Sequence, residues 1–152
     1  MKAIVFTEYG LPIDDPRALF DSELPEPTPG PHDLLVQVRA IAVNPVDTKV
    51  RSGKGATPQP QVLGWDTVGV VGAVGSDVTL FQPGDEVFYA GAIDRPGSYS
   101  ELHLVDERIV GRKPRSLDDA SAAALPLRRL PPGNCCSTAW ASASTVEQGR
   151  VC

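Results

Sequence analysis

A mainly β protein with a few short helices, its strands curled into a barrel, is the architecture this sequence predicts. Three observations lead there. Runs of β-branched and aromatic residues recur at short intervals, "KAIVF", "LLVQVRAIAV", "DTVGVVGAVG", "DEVFYAG" and "SYSELHLV" among them. Pro and Gly turns such as "TPGPHD" and "QPGDEV" separate these runs. Helical periodicity is confined to two short stretches, so helices cannot form the main layer.

The elements follow in order. Lys2–Phe6 is the first strand, an apolar run after a single lysine. It is too short for the apolar core of a signal peptide, so a cytoplasmic location is expected. The proline-rich "LPEPTPGPHDLL" reads as an extended crossing segment. Leu34–Val43 is a longer strand with partial alternation. "NPVDTKVRSG" is a short helix, with Pro45 near its start, Asp47 in its first turn and Gly53 as its stop. Asp66–Gly75 is a Val-rich strand whose glycines mark bends or close backbone contacts. Asp85–Gly91 and Ser98–Val105 complete the strands. "SLDDASAAALPL" is the second helix, opened by Ser116 with Asp119 three residues on and continued by alanines.

Bulk composition excludes several classes of function. At 152 residues the chain holds one ordinary domain, and its net charge of -5 comes without a basic block. Nucleic acid and anionic membrane are therefore not expected partners. No apolar run approaches the roughly 20 residues of a membrane span. Three cysteines, two of them adjacent at 135 and 136, have neither zinc-knuckle spacing nor a nearby histidine. The glycines of "GVVGAVG" lack dinucleotide-fingerprint spacing, so a phosphate loop is not expected there.

The ordered blocks "MKAIVF", "LPEPTPGPHDLLVQVRAIAVNPVDTKVRSG", "VLGWDTVGVVGAVGSDVTLFQPGDEVFYAG" and "GSYSELHLVDERIVGRKPRSL" carry a resemblance. Together they resemble the N-terminal domain of medium-chain dehydrogenases/reductases, in the zinc-type alcohol dehydrogenase-like and quinone oxidoreductase branch. The resemblance covers residues 1–127 and implies a GroES-like β-barrel. In the family a Rossmann domain that binds NADPH or NADH follows, with a small-molecule substrate in the cleft between the two. That Rossmann domain is expected to be absent from this chain.

Zinc members of the superfamily place a cysteine where this chain has Asn44, a histidine where it has Trp65, and a glutamate where it has Asp66. An amide and an indole are not ordinary zinc ligands, so no metal is expected despite the branch's name. The nicotinamide must then supply the chemistry, as hydride transfer to a quinone, enone or related carbonyl compound. On this resemblance Asn44 and Asp47 are the catalytic candidates. Asn44 would offer an amide donor to a developing oxyanion, and Asp47 would orient a neighbour or bind a cofactor-associated group. Trp65 and Tyr89 are the substrate-binding candidates, as aromatic walls beside "AGAIDRPGSYSE". Three of these have a structural alternative: Asn44 as a turn or cap residue, Asp47 as an acidic first-turn residue, Trp65 as core. Lone histidines at 32 and 103 read as packing or surface residues.

Residues 128–152 break the pattern. "RRLPPGNCCSTAWASASTVEQGRVC" has no period and holds every cysteine. Pairing the third base of each codon with the first two of the next permits Ala-Trp-Glu-Leu-Leu-Phe-Asp-Arg-Leu-Gly. Both adjacent leucines are forced by the Asn134–Cys135 and Cys135–Cys136 junctions, and the glycine by Trp140–Ala141. The permitted segment resembles the family's linking helix. The tail is therefore expected to be an aberrant, disordered product of a frameshift near codon 127. The alternative is a natural short protein. The expected function is a fragment of an NAD(P)H-dependent oxidoreductase, inactive by itself because hydride transfer needs both walls of the cleft. Two rivals stand beside it. One is a non-enzymatic barrel that binds a partner, or pairs and aggregates, through its exposed apolar face. The other is a fragment of a zinc-dependent alcohol dehydrogenase.

Overall fold

The computed structural model describes residues 1–129 and contains eight strands and three α-helices among them. Strand β1 (Lys2–Glu8) lies between β2 (Phe20–Glu23) and β4 (Ala56–Val62) in a three-stranded antiparallel sheet. The second sheet has five strands in the order β7 (Leu102–Asp106), β3 (Asp33–Ala42), β5 (Asp66–Val74), β6 (Glu86–Ala90) and β8 (Val110–Arg112). All its pairings are antiparallel. The chain just before β7 joins the two sheets. Ala3 bridges Ser100, and the Ile4 N–H donates to the Tyr99 carbonyl at 2.8 Å. The sheets thereby close into the expected barrel.

Burial explains the strand patterns. In β3, Leu34 and Val36 point inward while Gln37 and Arg39 face water, as strand alternation requires. They pack with Val71, Val87, Tyr89 and Val105 in one core cluster. Each such Val or Leu stabilises the fold by about 1.5–3 kcal/mol relative to exposure. The first half of β5 does not alternate, because Asp66 to Gly69 are all buried. Its second face is covered by α2 (Asp119–Ala123), whose Ala122 and Ala123 pack on Val68. Gly69 allows β3 and β5 to approach, since an added Cβ would collide with the Gln37 carbonyl oxygen.

Helix α1 (Pro45–Arg51) forms where the proline and first-turn acid predict it. The single helix expected over "SLDDASAAALPL" is instead two. Asp118, not Ser116, caps α2, its side chain accepting the Ser121 N–H at 2.7 Å. Leu125 then breaks the helix, and Pro126 starts α3 (Pro126–Arg129), in keeping with proline's preference for the first helical turn. Ser98–Ser100 lies outside β7, although the sequence reads as strand from Ser98. Its backbone is engaged by β1 and by the segment before β5: Tyr99 N–H donates to Leu63 O at 2.9 Å. The expectation of an aberrant tail falls, from residue 130 onward, outside the described residues. Among the described residues no helix is long and apolar enough to cross a membrane.

Candidate active site

Asn44 sits between the end of β3 and the start of α1, with extended backbone (φ -126°, ψ 158°). Its backbone N–H donates to Asp47 Oδ2 at 2.7 Å, the reciprocal arm of a capping box. Asp47 does more than cap. It is buried, and its other oxygen, Oδ1, accepts the Gly64 N–H at 2.9 Å. One carboxylate therefore ties the helix start to the segment entering β5. Burial pushes the Asp47 carboxyl above the usual range, against the pull of the Asn44 and Gly64 N–H groups.

Asp66, the first residue of β5, is a second buried carboxylate. Its Oδ2 accepts from Asn44 Nδ2 at 2.9 Å, and its Oδ1 accepts the Leu127 N–H at 2.9 Å. The same Asn44 Nδ2 donates to the Ala42 carbonyl at 3.2 Å. Burial raises the Asp66 carboxyl, opposed by Asn44 and Leu127 and reinforced by the charge of Asp47. Asn44 is thus held from both ends, by Asp47 through its backbone and by Asp66 through its side chain. Helix α3 is attached to the same cluster.

The two aromatic candidates lie beside this cluster but inside the barrel wall. Trp65 is 4% exposed, packs with Phe6, Leu63 and Tyr99, and donates its indole N–H to the Ala92 carbonyl at 3.1 Å. Tyr89 is 2% exposed and stands opposite Thr67, one rung from Asp66. Its hydroxyl lies 2.8 Å from His103 Nδ1, and the two rings stack with centroids 5.6 Å apart. His103 Nε2 lies 3.0 Å from the Pro96 carbonyl oxygen, which can only accept. Nε2 therefore carries the proton, Nδ1 is the acceptor, and the Tyr89 hydroxyl donates. Burial lowers the His103 pKa to about 4 and raises that of Tyr89.

Sequence reasoning brought Asn44, Asp47, Trp65 and Tyr89 forward, and the first two share a network directly. It missed the Tyr89–His103 pair. Tyr99 lies against Gly64, whose φ of 95° and closeness to that ring leave no room for a Cβ. The Ser98 hydroxyl is buried without a partner among the described residues, and the buried Tyr99 hydroxyl lies near the Asp47 carboxylate. Burial raises the Tyr99 phenol, and the nearby Asp47 charge raises it further. The "IDRPGSYS" loop is pinned from outside by a bidentate pair, Arg95 to both oxygens of Asp33 at 2.9 Å. No signal in the sequence pairs residues so far apart as 33 and 95.

These side chains do not fit a zinc ion. Both hydrogens of the Asn44 amide are engaged, the Trp65 indole nitrogen is a donor only, and Asp66 is already bonded through both oxygens. Among the described residues no group of three His, Cys, Asp or Glu side chains is placed to hold a metal. Nor do they cradle a dinucleotide. Gly69–Gly75 lies in β5 and the turn after it, with no helix N-terminus following.

Known proteins resemble this chain over the same region. Residues 30–115 match the model of the alcohol dehydrogenase GroES-like domain. A zinc-type alcohol dehydrogenase-like protein of Staphylococcus aureus is 51% identical over 127 residues, covering 84% of this chain and 37% of that protein. A 2-methylene-furan-3-one reductase of Solanum lycopersicum is 40% identical, covering 84% of this chain and 34% of the reductase. Among solved structures, the quinone oxidoreductase of Escherichia coli complexed with NADPH is 31% identical with a TM-score of 0.73, covering 84% of this chain and 38% of that one. The chain thus spans little more than a third of the length of these relatives.

Proposed function

The chain belongs to the alcohol dehydrogenase GroES-like domain family, in the zinc-type alcohol dehydrogenase-like and quinone oxidoreductase branch, and from that premise we propose that residues 1–127 form the substrate half of a zinc-free, NAD(P)H-dependent reductase of quinones, enones or related carbonyl compounds. When bound by the family's second domain, the reduced nicotinamide supplies the hydride. The observation that carries this reading is the Asn44–Asp66 hydrogen bond, which joins the residues at the expected cysteine and glutamate positions of zinc members into an organic network. In this reading Asn44 meets the ligand, and Asp47 positions it. Trp65 and Tyr89 stiffen the wall behind it. In the same reading residues 128–152 are a wrong-frame tail.

The reading is tested with a chimera that joins residues 1–127 to the remainder of the Staphylococcus aureus relative. NADPH oxidation with 1,4-benzoquinone or an enone, unaffected by a chelator, is the expected result. Activity that appears only with added zinc, or only as alcohol oxidation, overturns it. DNA sequence across codons 120–152 that closes the shifted frame overturns the account of the tail.

A further inference from the structure

We infer that Asp66 is a positioning residue that fastens helix α3 to Asn44, so that one carboxylate sets the path by which the chain leaves the barrel against the candidate site. Its bearing on catalysis rests on the reading of the chain as the substrate half of a reductase, but the tie itself is measured without turnover.

Asp66 is fixed on both flanks by the sheet. It opens β5, where it stands opposite Ala42 of β3 on one side and Ala90 of β6 on the other. The residue is buried, so both carboxylate oxygens must find donors inside the protein. Oδ2 takes Asn44 Nδ2 and Oδ1 takes the Leu127 N–H, each at 2.9 Å. The two donors sit on different oxygens of one planar group. A turn of the carboxylate that follows one donor therefore leaves the other without its acceptor.

Leu127 is the second residue of α3, and the first N–H groups of a helix have no partner within it. Its N–H is thus available to Asp66 without weakening the helix. The neighbouring α2 is held differently, by Ala122 and Ala123 packed on Val68. Apolar contact is non-directional and tolerates sliding, whereas a hydrogen bond weakens steeply with distance and angle. The placement of α3 is therefore set by Asp66 more sharply than packing alone would set it. In the proposed reading the family's second domain follows α3, and its nicotinamide must arrive in reach of a substrate held by the barrel. A misplacement of about 1 Å costs about 100-fold in rate. Asp66 would act on that placement through α3 and Asn44.

The test follows hydrogen exchange by NMR in the full 152-residue chain at pH 7.5, at the Leu127 N–H and at the Asn44 carboxamide. Asn44 and Asn134 are the chain's only asparagines, so 15N-asparagine gives two side-chain amide groups, and Asn44→Gln identifies one. Leu127→Pro deletes the N–H at a helix position where proline is tolerated. It should displace the Asn44 side-chain signals and speed their exchange roughly tenfold. Leu127→Ala, which keeps the N–H, should leave them in place. Asp66→Ala leaves the sequence of α3 untouched and should release Leu127 and Asn44 together, so it is an independent arm if the proline disturbs the helix. Slow Asn44 exchange in Leu127→Pro, an equal response to Leu127→Ala, or a Leu127 N–H that stays protected in Asp66→Ala overturns the inference. Failure of the chimera to reduce quinones would instead overturn the function and leave this tie measurable.

Discussion

Acid should destabilise this domain through His103, starting at pH values where ordinary carboxylates are still ionised. The imidazole is buried against Tyr89 and bonded as the neutral Nε2–H tautomer. Protonating Nδ1 would remove the acceptor of the Tyr89 hydroxyl and place a charge in the barrel wall near Arg95, which disfavours it further. The folded pKa of about 4 lies below the ordinary 6.5. Between these values the unfolded chain binds more protons than the folded one, so stability is full above about pH 6.5 and falls as the pH drops towards 4. With those two pKa values, linkage gives a loss of about 2 kcal/mol by pH 5 and about 3 kcal/mol by pH 4. The raised carboxyls of Asp47 and Asp66 act in the opposite sense, since the folded state holds their protons more tightly. Urea denaturation of the wild type and His103→Gln at pH 7, 6, 5 and 4 separates the terms, because only the histidine contribution differs between the two proteins. The wild type should lose the stated amount relative to the variant. Parallel profiles between pH 7 and 5, or a His103 ring that titrates near 6.5 by NMR, would refute the reasoning.

Two further outcomes test the framework around the site. Gly64→Ala places a Cβ at φ 95° against the Tyr99 ring, whereas Gly84→Ala meets nothing within 4 Å at φ 94°. Backbone strain alone should cost the second about 1–2 kcal/mol, and crowding should add about 1–3 kcal/mol to the first; equal losses in denaturant melts would remove Tyr99 as the constraint. Glu107 accepts both the Thr79 and Leu80 N–H groups on one oxygen, at 2.9 and 2.8 Å. Glu107→Ala should speed amide exchange at both residues while Glu107→Gln, which keeps an acceptor, should not, and identical exchange in the two variants would show the loop is held otherwise.

The strands that sequence reasoning placed are those with strong local character: β1, β3, β5, β6 and, apart from its first residues, β7 carry apolar runs between turns. The ones it missed have sequences that argue against a strand. β4 reads "ATPQPQV", with Pro58 and Pro60. Prolines cannot serve a central ladder, but β4 is an edge strand paired only with β1, and there they cost no interior bond. β2 is "FDSE" and β8 is "VGR", each too short to show a period and each held by a neighbour far along the chain. The site divides in the same way. Asn44 and Asp47 stand three residues apart, and a capping box is a local pattern. The engagement of Asn44 with Asp66, and of Asp66 with Leu127, spans 22 and 61 residues and depends on how β5 and α3 are packed. The expected amide donor at Asn44 rested on residue type alone. Only the positions of its neighbours show that its amide nitrogen faces Asp66 Oδ2 and the Ala42 carbonyl.

A family name travels with the fold, whereas the chemistry depends on what each position holds. In this barrel an amide, Asn44, is joined to a carboxylate, Asp66. Such a pair is coherent only as a set. Asn44 with a glutamine-sized or apolar partner at 66 would leave a buried donor unpaired, and Asp66 without Asn44 would keep a buried charge held only by the Leu127 N–H, each a cost of about 1–3 kcal/mol or more. Leu127 belongs to that set as well. Its N–H occupies the second oxygen of Asp66, so the orientation of Asn44 depends on helix α3 having formed. The local architecture of the candidate site therefore extends beyond the barrel strands to the helix that follows them, and a unit cut before Pro126 would contain every candidate residue without the bond that holds them in register.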